Sequence, residues 1–220
     1  HSAKPFTVCF IGASDLELPA NARAARTLKD AAQAALGGGA FAEPAISRTS
    51  LLKDRTGIRG LYSGGTLAAE TQLILLDAGL DVASNAAVPG AGSLSDAGDA
   101  HKIIDLGDDE YTQGRPHPMI DPEIRREPLA EALTDSAVGV VLIDIVIGYG
   151  AHPDPAGQLA EMLSSMQDAD GPTVIASVTG TEQDPQVRSS QINTLQAVGI
   201  HVAGSNADAA IAALNLLGIN

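Results

Sequence analysis

Val138-Gly139-Val140-Val141-Leu142-Ile143-Asp144-Ile145-Val146-Ile147 is apolar at almost every position, with no alternation of polar residues. A strand with one wet face alternates with period two, whereas a near-continuous run rich in Val and Ile fits a strand buried on both faces. Burial on both faces requires helices above and below a parallel sheet. Reading outward, strands are predicted at about 6–12, 58–63, 102–106, 138–147, 173–179 and 200–204. Helices are predicted at about 27–36, 66–78, 122–134, 155–168, 185–198 and 206–217, the last with Ala210, Leu214 and Leu217 at helical spacing. Repeated strand-helix units imply an α/β fold with a parallel sheet covered on both faces.

One residue breaks the central run. A carboxylate at Asp144 is costly inside a buried strand unless it is paired or hydrogen-bonded. Two roles compete, general base and structural support through backbone N–H bonds. Support fits better, because Asp144 lies several residues before the strand ends.

The 220 residues carry 13 Lys and Arg against 27 Asp and Glu, a net charge of −14. No basic cluster is available to neutralise phosphates, so neither nucleic acid nor an anionic membrane is an expected partner. Apolar runs are all shorter than the ~18 residues of a membrane span, and the start does not read as a signal peptide. The single cysteine, Cys9, lies in the apolar run from Phe6 to Ile11 and is expected as a buried strand thiol, which fits a reducing, cytoplasmic setting. His1-Ser2 reads as a tag remnant.

Gly37-Gly38-Gly39 and the mixed stretch to Gly57 form the clearest linker, residues 37–57, and divide a short unit at 3–36 from a domain at 58–220. One strand and one helix cannot enclose a core. The chain is therefore expected to be part of a larger protein or to borrow an edge from a neighbour. Residues 83–100, rich in Ala, Gly, Ser and Asp without a period, are expected as an exposed, mobile loop.

Four strand ends carry polar, glycine-bearing loops. Ser63, Gly64, Gly65 and Thr66 turn from a strand into a helix, a geometry that serves either as an anion cradle at a helix N-terminus or simply as a tight turn. The run from Asp105 to Asp121 stacks acids, glycines, Arg115 and His117 before an expected N-cap at Asp121 and a proline at the first helical position. Arg115 can hold a carboxylate or phosphate bidentately, and His117 stands at both a loop and a helix N-terminus. Asp105, Asp108 and Asp109 have the donors for Mg²⁺, but acids in an acidic protein are usually solvated, so no metal is assigned. Gly148 to Asp154 repeats the glycine-loop architecture. Thr179, Gly180 and Thr181 offer hydroxyls for an oxyanion or for helix capping, and Arg188 opposes the dipole of the helix it begins, as a cation awaiting an anion or in a surface salt bridge. The chain contains no GxxxxGK(S/T), no GxGxxG after a strand and no GxSxG, hence no nucleotide motif and no nucleophile elbow of its own.

The blocks GLYSGGTLAAETQ (60–72), IIDLGDDEYTQGRPHPMIDPEIR (103–125), VGVVLIDIVIGYGAHPDPA (138–156) and VTGTEQDPQVRSSQ (178–191) resemble the FdrA-type branch of the succinyl-CoA synthetase (acyl-CoA synthetase) superfamily. Residues 58–217 are similar to the flavodoxin-like domain that closes the beta subunit, and residues 3–36 look like the last strand and helix of an alpha-type ligase domain. The resemblance implies that a substrate-contacting asparagine of the family falls on Ser63 and that a glycine-containing trio falls on Tyr149, Gly150 and Ala151. The phosphorylated histidine of the alpha type has no counterpart, since no histidine occurs between Ser2 and Ala100. What the branch implies is ureide degradation: carbamoyl transfer between oxalurate and phosphate, with companion subunits. An acid-thiol ligase and a non-catalytic assembly or anion-binding domain are the alternatives. Phosphate is the implied substrate, no cofactor is expected within this chain, and CoA or a nucleotide would come from other domains. Expected partners are those domains or companion subunits, in a homo- or hetero-oligomer.

Overall fold

The computed structural model describes residues 3–13, 16–38, 55–98, 101–166 and 171–219. β1 (Phe6–Val8) and β2 (Ala22–Ala24) form a two-stranded parallel sheet, followed by α1 (Leu28–Ala35). Thr27 and Asp30 close the start of α1 in a reciprocal capping box. The rest of the chain runs β3 (Gly57–Tyr62), α2 (Gly65–Asp77), β4 (Val82–Ser84), β5 (Gly92–Ser93), β6 (His101–Asp105), α3 (Asp109–Thr112), a 3-10 turn at Pro122–Arg125, α4 (Arg126–Thr134), β7 (Val138–Val146), α5 (Pro155–Met166), β8 (Thr173–Thr179), α6 (Arg188–Ala197), β9 (His201–Ala203) and α7 (Asn206–Leu217). The seven strands β3 to β9 make one wholly parallel sheet in the order β5-β4-β6-β3-β7-β8-β9. The fold is flavodoxin-like α/β.

The quoted run explains the layering. Along β7, Val141, Ile143 and Ile145 pack against Leu129 and Leu133 of α4, Leu159 and Leu163 of α5 and Leu195 of α6. The intervening Val140 and Leu142 pack against Ala68 and Leu75 of α2 and Ala213 and Leu214 of α7. Alternate residues thus serve two cores, and the sequence shows no polar alternation because neither face meets water. The chain leaves β3 for β4 and β6 on one side, then crosses to β7 on the other. Such a reversal opens a crevice at the carboxyl ends of the strands flanking it.

Several expectations change. Residues 83–100 are not a featureless loop: Ala83 and Ser84 are buried in β4, and β5 and a 3-10 turn at Leu94–Asp96 follow. Strands of three and two residues are too short to print a period. β2 and α3 went unpredicted for the same reason. Cys9 is half-buried and stands just beyond β1, which stops at Val8, so it is not a buried strand thiol. α6 begins at Arg188 rather than near Pro185, after a turn in which Val187 takes φ +55°. Most of the expected linker, residues 39–54, lies outside the described residues, as do His1 and Ser2.

The amino-terminal unit does not join the large sheet by strand pairing. It docks through α1 and the residue before its cap: Arg26 pairs with Asp77 at 2.6 Å, Lys29 pairs with Asp208, and Leu28 N–H donates to Glu70 at 2.6 Å. Phe6, Phe10 and Leu36 are left exposed.

Gly139 tests the register of the central strand. The β3–β7 pairing shifts there, and a Cβ on Gly139 would sit 2.3 Å from the carbonyl oxygen of Arg55. Gly139→Ala should force the backbone apart and lower unfolding free energy by roughly 1–3 kcal/mol, read from urea denaturation. A midpoint equal to the parent's would show that the strand entrance is loose.

Candidate functional site

The site begins beneath the sheet edge. Asp144 is 1% exposed, and its Oδ1 accepts hydrogen bonds from Ser63 N at 2.8 Å, Ser63 Oγ at 3.0 Å and Arg125 Nη2 at 2.6 Å. Arg125, 3% exposed, also donates from Nη1 to the Asp144 carbonyl at 2.6 Å and from Nη2 to Ser63 Oγ. One buried ion pair therefore fixes the end of β3, the end of β7 and the turn before α4. Beside it lies a cavity of about 10 Å³, too small for a substrate.

Above the pair, Gly64 and Gly65 open α2, and no side chain caps that end. By position, the N–H groups of Gly65, Thr66 and Leu67 have no intrahelical acceptor, and the helix dipole makes this end attractive to anions. The loop after β6 faces it. A Cβ on Gly107 would lie 2.5 Å from Ser63 O and 2.8 Å from His117 Nε2, and one on Gly65 would lie 3.0 Å from Asp105 Oδ2. Glycine is required at Gly107 because Ser63 O, His117 Nε2 and Asp105 Oδ1 converge on it.

His117 Nδ1 accepts from Met119 N–H at 3.2 Å, which leaves Nε2 as the N–H donor of the neutral ring, beside Gly107. Asp105 is buried, and burial raises its carboxyl above the ordinary range. The Gly107 N–H, donating at 2.8 Å, pulls it back, Asp108 and Asp144 push it up, and His117 lowers it slightly. Asn85 clasps the Asp105 backbone, donating to its carbonyl and accepting from its N–H, both at 2.9 Å.

The neighbouring loops are tied into the same edge. His152 N–H donates to Met119 O at 2.7 Å, joining the loop after β7 to the loop after β6. Buried Gln186 accepts from Gly148 N–H at 3.1 Å and donates to Gly148 O and His152 O at 3.0 and 3.1 Å. Tyr149 is 90% exposed, Gly150 takes φ +86°, and Ala151 is half-buried.

The structure thus brings Ser63 and His117 to the same glycine, Gly107, with Gly64 and Gly65 following Ser63 in the chain and Thr66 exposed on the first turn of α2. Arg115 is exposed and forms no ion pair with a described residue; the arginine that touches Ser63 is Arg125. Thr179, Gly180 and Thr181 line a separate cleft. There the Thr181 hydroxyl is occupied by Asp184 at 3.0 Å. Among the described residues no group of three or more His, Cys, Asp or Glu is placed to hold a metal.

Arg125, Asn85 and Gln186 were not singled out from sequence. For Arg125 a signal existed: Pro122, Arg125, Leu129, Ala132 and Leu133 are all buried at helical spacing, so an arginine stands in register with an apolar face. A lone buried acid on the facing strand needs such a partner.

Residues 61–216 match the profile of a family described as CoA-ligase. The uncharacterized protein YahF of Escherichia coli (strain K12) is 35% identical over 173 residues, which cover 76% of this chain and 34% of that protein. The chain therefore spans about a third of the length of that curated relative. The crystal structure of PH0766 from Pyrococcus horikoshii OT3 superposes on 77% of this chain and 37% of its own, with 13% identity and a TM-score of 0.49.

The buried pair yields a cycle of variants. Asp144→Leu strands the Arg125 guanidinium and Ser63 N–H, and Arg125→Met strands the carboxylate. Each should cost roughly 3–5 kcal/mol in urea unfolding. The double variant should cost clearly less than the sum, because no uncompensated charge remains. Additive losses would show that the two side chains do not depend on each other.

Proposed function

The chain belongs to the CoA-ligase family, and we propose on that footing that its sheet edge binds the phosphoryl or carboxylate group of an acyl-transfer reaction completed by other domains or subunits. The observation that carries this reading is the uncapped, glycine-opened start of α2, preceded by Ser63, whose carbonyl oxygen converges with His117 Nε2 on Gly107. Backbone N–H groups there can hold an anion without a long side chain, and a His117 N–H can donate to the same group or to a neighbouring carbonyl oxygen. Arg125 and Asp144 set the Ser63 turn so that little reorganisation is needed when charge develops. Arg115 reaches the edge only from an exposed position and serves as an outer clamp. Tyr149, Gly150 and Ala151 border the same edge from the loop after β7.

The coarse reading is an acid-thiol ligase-like domain, with CoA or a nucleotide held elsewhere in a homo- or hetero-oligomeric assembly. Carbamoyl transfer between oxalurate and phosphate is the narrower case, supported by the sequence blocks alone. Acyl and carbamoyl phosphates present the same phosphoryl and carbonyl oxygens to this edge. Assaying the assembled enzyme with both classes of substrate separates them.

Asp105 gives the proposal a pH signature. Its carboxylate beside Gly65 competes with an incoming anion, so sulfate should bind more tightly as pH falls through the raised Asp105 range and the carboxyl becomes neutral. The same shift makes ionised Asp105 a cost to folding. Its contribution to stability is full below the ordinary carboxylate value of about 3.9 and is lost as pH rises through the raised value. Asp105→Asn should strengthen sulfate binding near neutrality by on the order of 1 kcal/mol and flatten the acid part of the profile. Gly65→Val should abolish binding by blocking close approach, while Thr66→Ser should leave it unchanged. Calorimetric titration of these variants reads all three effects, and full sulfate affinity in Gly65→Val would place the anion elsewhere.

A further inference from the structure

A second cleft, of about 690 Å³, opens between α1, the amino-terminal halves of α2 and α7, and the loops after β8 and β9. That volume suits a small organic ligand. Its walls are mixed: Leu28, Ala32, Leu67 and Val178 supply apolar surface, while Arg188 stands at the rim of the sheet. The guanidinium is held by main-chain carbonyls, with Nε donating to Val178 O at 3.0 Å and Nη2 to Gly204 O at 3.4 Å.

Those bonds use one edge of the fork. Both Nη1 hydrogens and the second Nη2 hydrogen have no hydrogen-bond partner among the described residues, and no carboxylate among them pairs with Arg188. The surface salt bridge that would have explained this cation is absent from the described residues. The three carboxylates lining the cleft are otherwise engaged. Asp208 pairs with Lys29 and accepts from Ser205 Oγ, Glu70 accepts from Leu28 N–H and Asn206 Nδ2, and Glu182 accepts from Ser189 N–H and Oγ. A half-buried guanidinium pinned at one side, with its end-on pair of N–H groups open, matches a carboxylate bidentately. Glu70 and Glu182 lie nearby and neither forms an ion pair with another described residue, so a dianion is disfavoured against a monoanion.

We infer that this cleft is a binding site for a small monocarboxylate with a short apolar body, its carboxylate on Arg188 and its body against Leu28, Ala32 and Leu67. The site is separate from the Ser63 turn and does not depend on the function proposed for it. The second Arg188 edge also explains why a cation can open α6, against the helix dipole.

Butyrate titrated into the ¹⁵N-labelled 220-residue chain tests the assignment. The amides of Gly180, Gly204 and Asn206 should shift in a saturable way while Gly64 and Gly65 stay still, and excess sulfate should not displace the butyrate. Acetate should bind more weakly by about fourfold per methylene removed. Arg188→Lys, which keeps the charge and loses the fork, should weaken butyrate by about tenfold. Because Arg188 also braces two strand ends, the shift map on the unaltered chain stands as an independent arm. No saturable shifts, shifts centred on Gly64 and Gly65, or parental affinity in a folded Arg188→Lys variant would each overturn the proposal.

Discussion

A guanidinium and a carboxylate buried together under the sheet edge constrain the loops above them. Removing two charges from water is costly, and Arg125 and Asp144 recover that cost only with both ends correctly placed. Arg125 arrives on a turn whose other inward positions are apolar, and Asp144 on a strand apolar on both faces. Ser63 supplies the third corner through its N–H and hydroxyl. Because the pair shares these atoms, the end of β3, the end of β7 and the start of α4 cannot move independently.

That triangle supports a ring of loops. The Met119 to His152 bond and the Gln186 clasp on Gly148 carry the constraint from the loop after β6 to the loops after β7 and β8. The protein's net charge of −14 repels anions at long range, so any anion attracted here must be held by short-range groups. Helix N-termini, a histidine N–H and a fixed guanidinium are such groups. Asp105, whose carboxyl burial pushes above the ordinary range, lies beside one of these helix ends.

The amino-terminal unit depends on its surroundings in a different way. Two parallel strands of three residues bury little, and Phe6 and Phe10 remain open to solvent. What holds the unit is α1, tied to α2 and α7 through Arg26, Lys29 and the bond from Leu28 to Glu70. The same docking makes α1 one wall of the second cleft. Its position therefore shapes that cleft as well as covering part of the larger domain.

The parallel α/β architecture was legible from periodicity because burial on both faces leaves a local mark, a continuous apolar run such as 138–147. The glycine turns at 63–66 and 148–150 were legible for a similar reason, since sharp turns select small residues locally. So was the need of Asp144 for partners, because a charge in an apolar strand is anomalous on its own. The partner was only hinted at, by an arginine in register with an apolar helix face, and was not assigned. Arg125 lies 19 residues away in sequence, and only the packing of α4 on β7 brings it under Ser63. The short strands β4 and β5 left too few residues to register a pattern, and Asn85 gained its role only when β4 paired with β6. Sequence decided the longer strands and helices and the glycine turns, because those choices rest on neighbours in the chain. Tertiary structure alone decided that His117 and the Ser63 turn meet at Gly107, that Arg125 rather than Arg115 bonds to Ser63, and that Arg188 forms no ion pair with a described acid, because distances between remote side chains are set by how the layers pack.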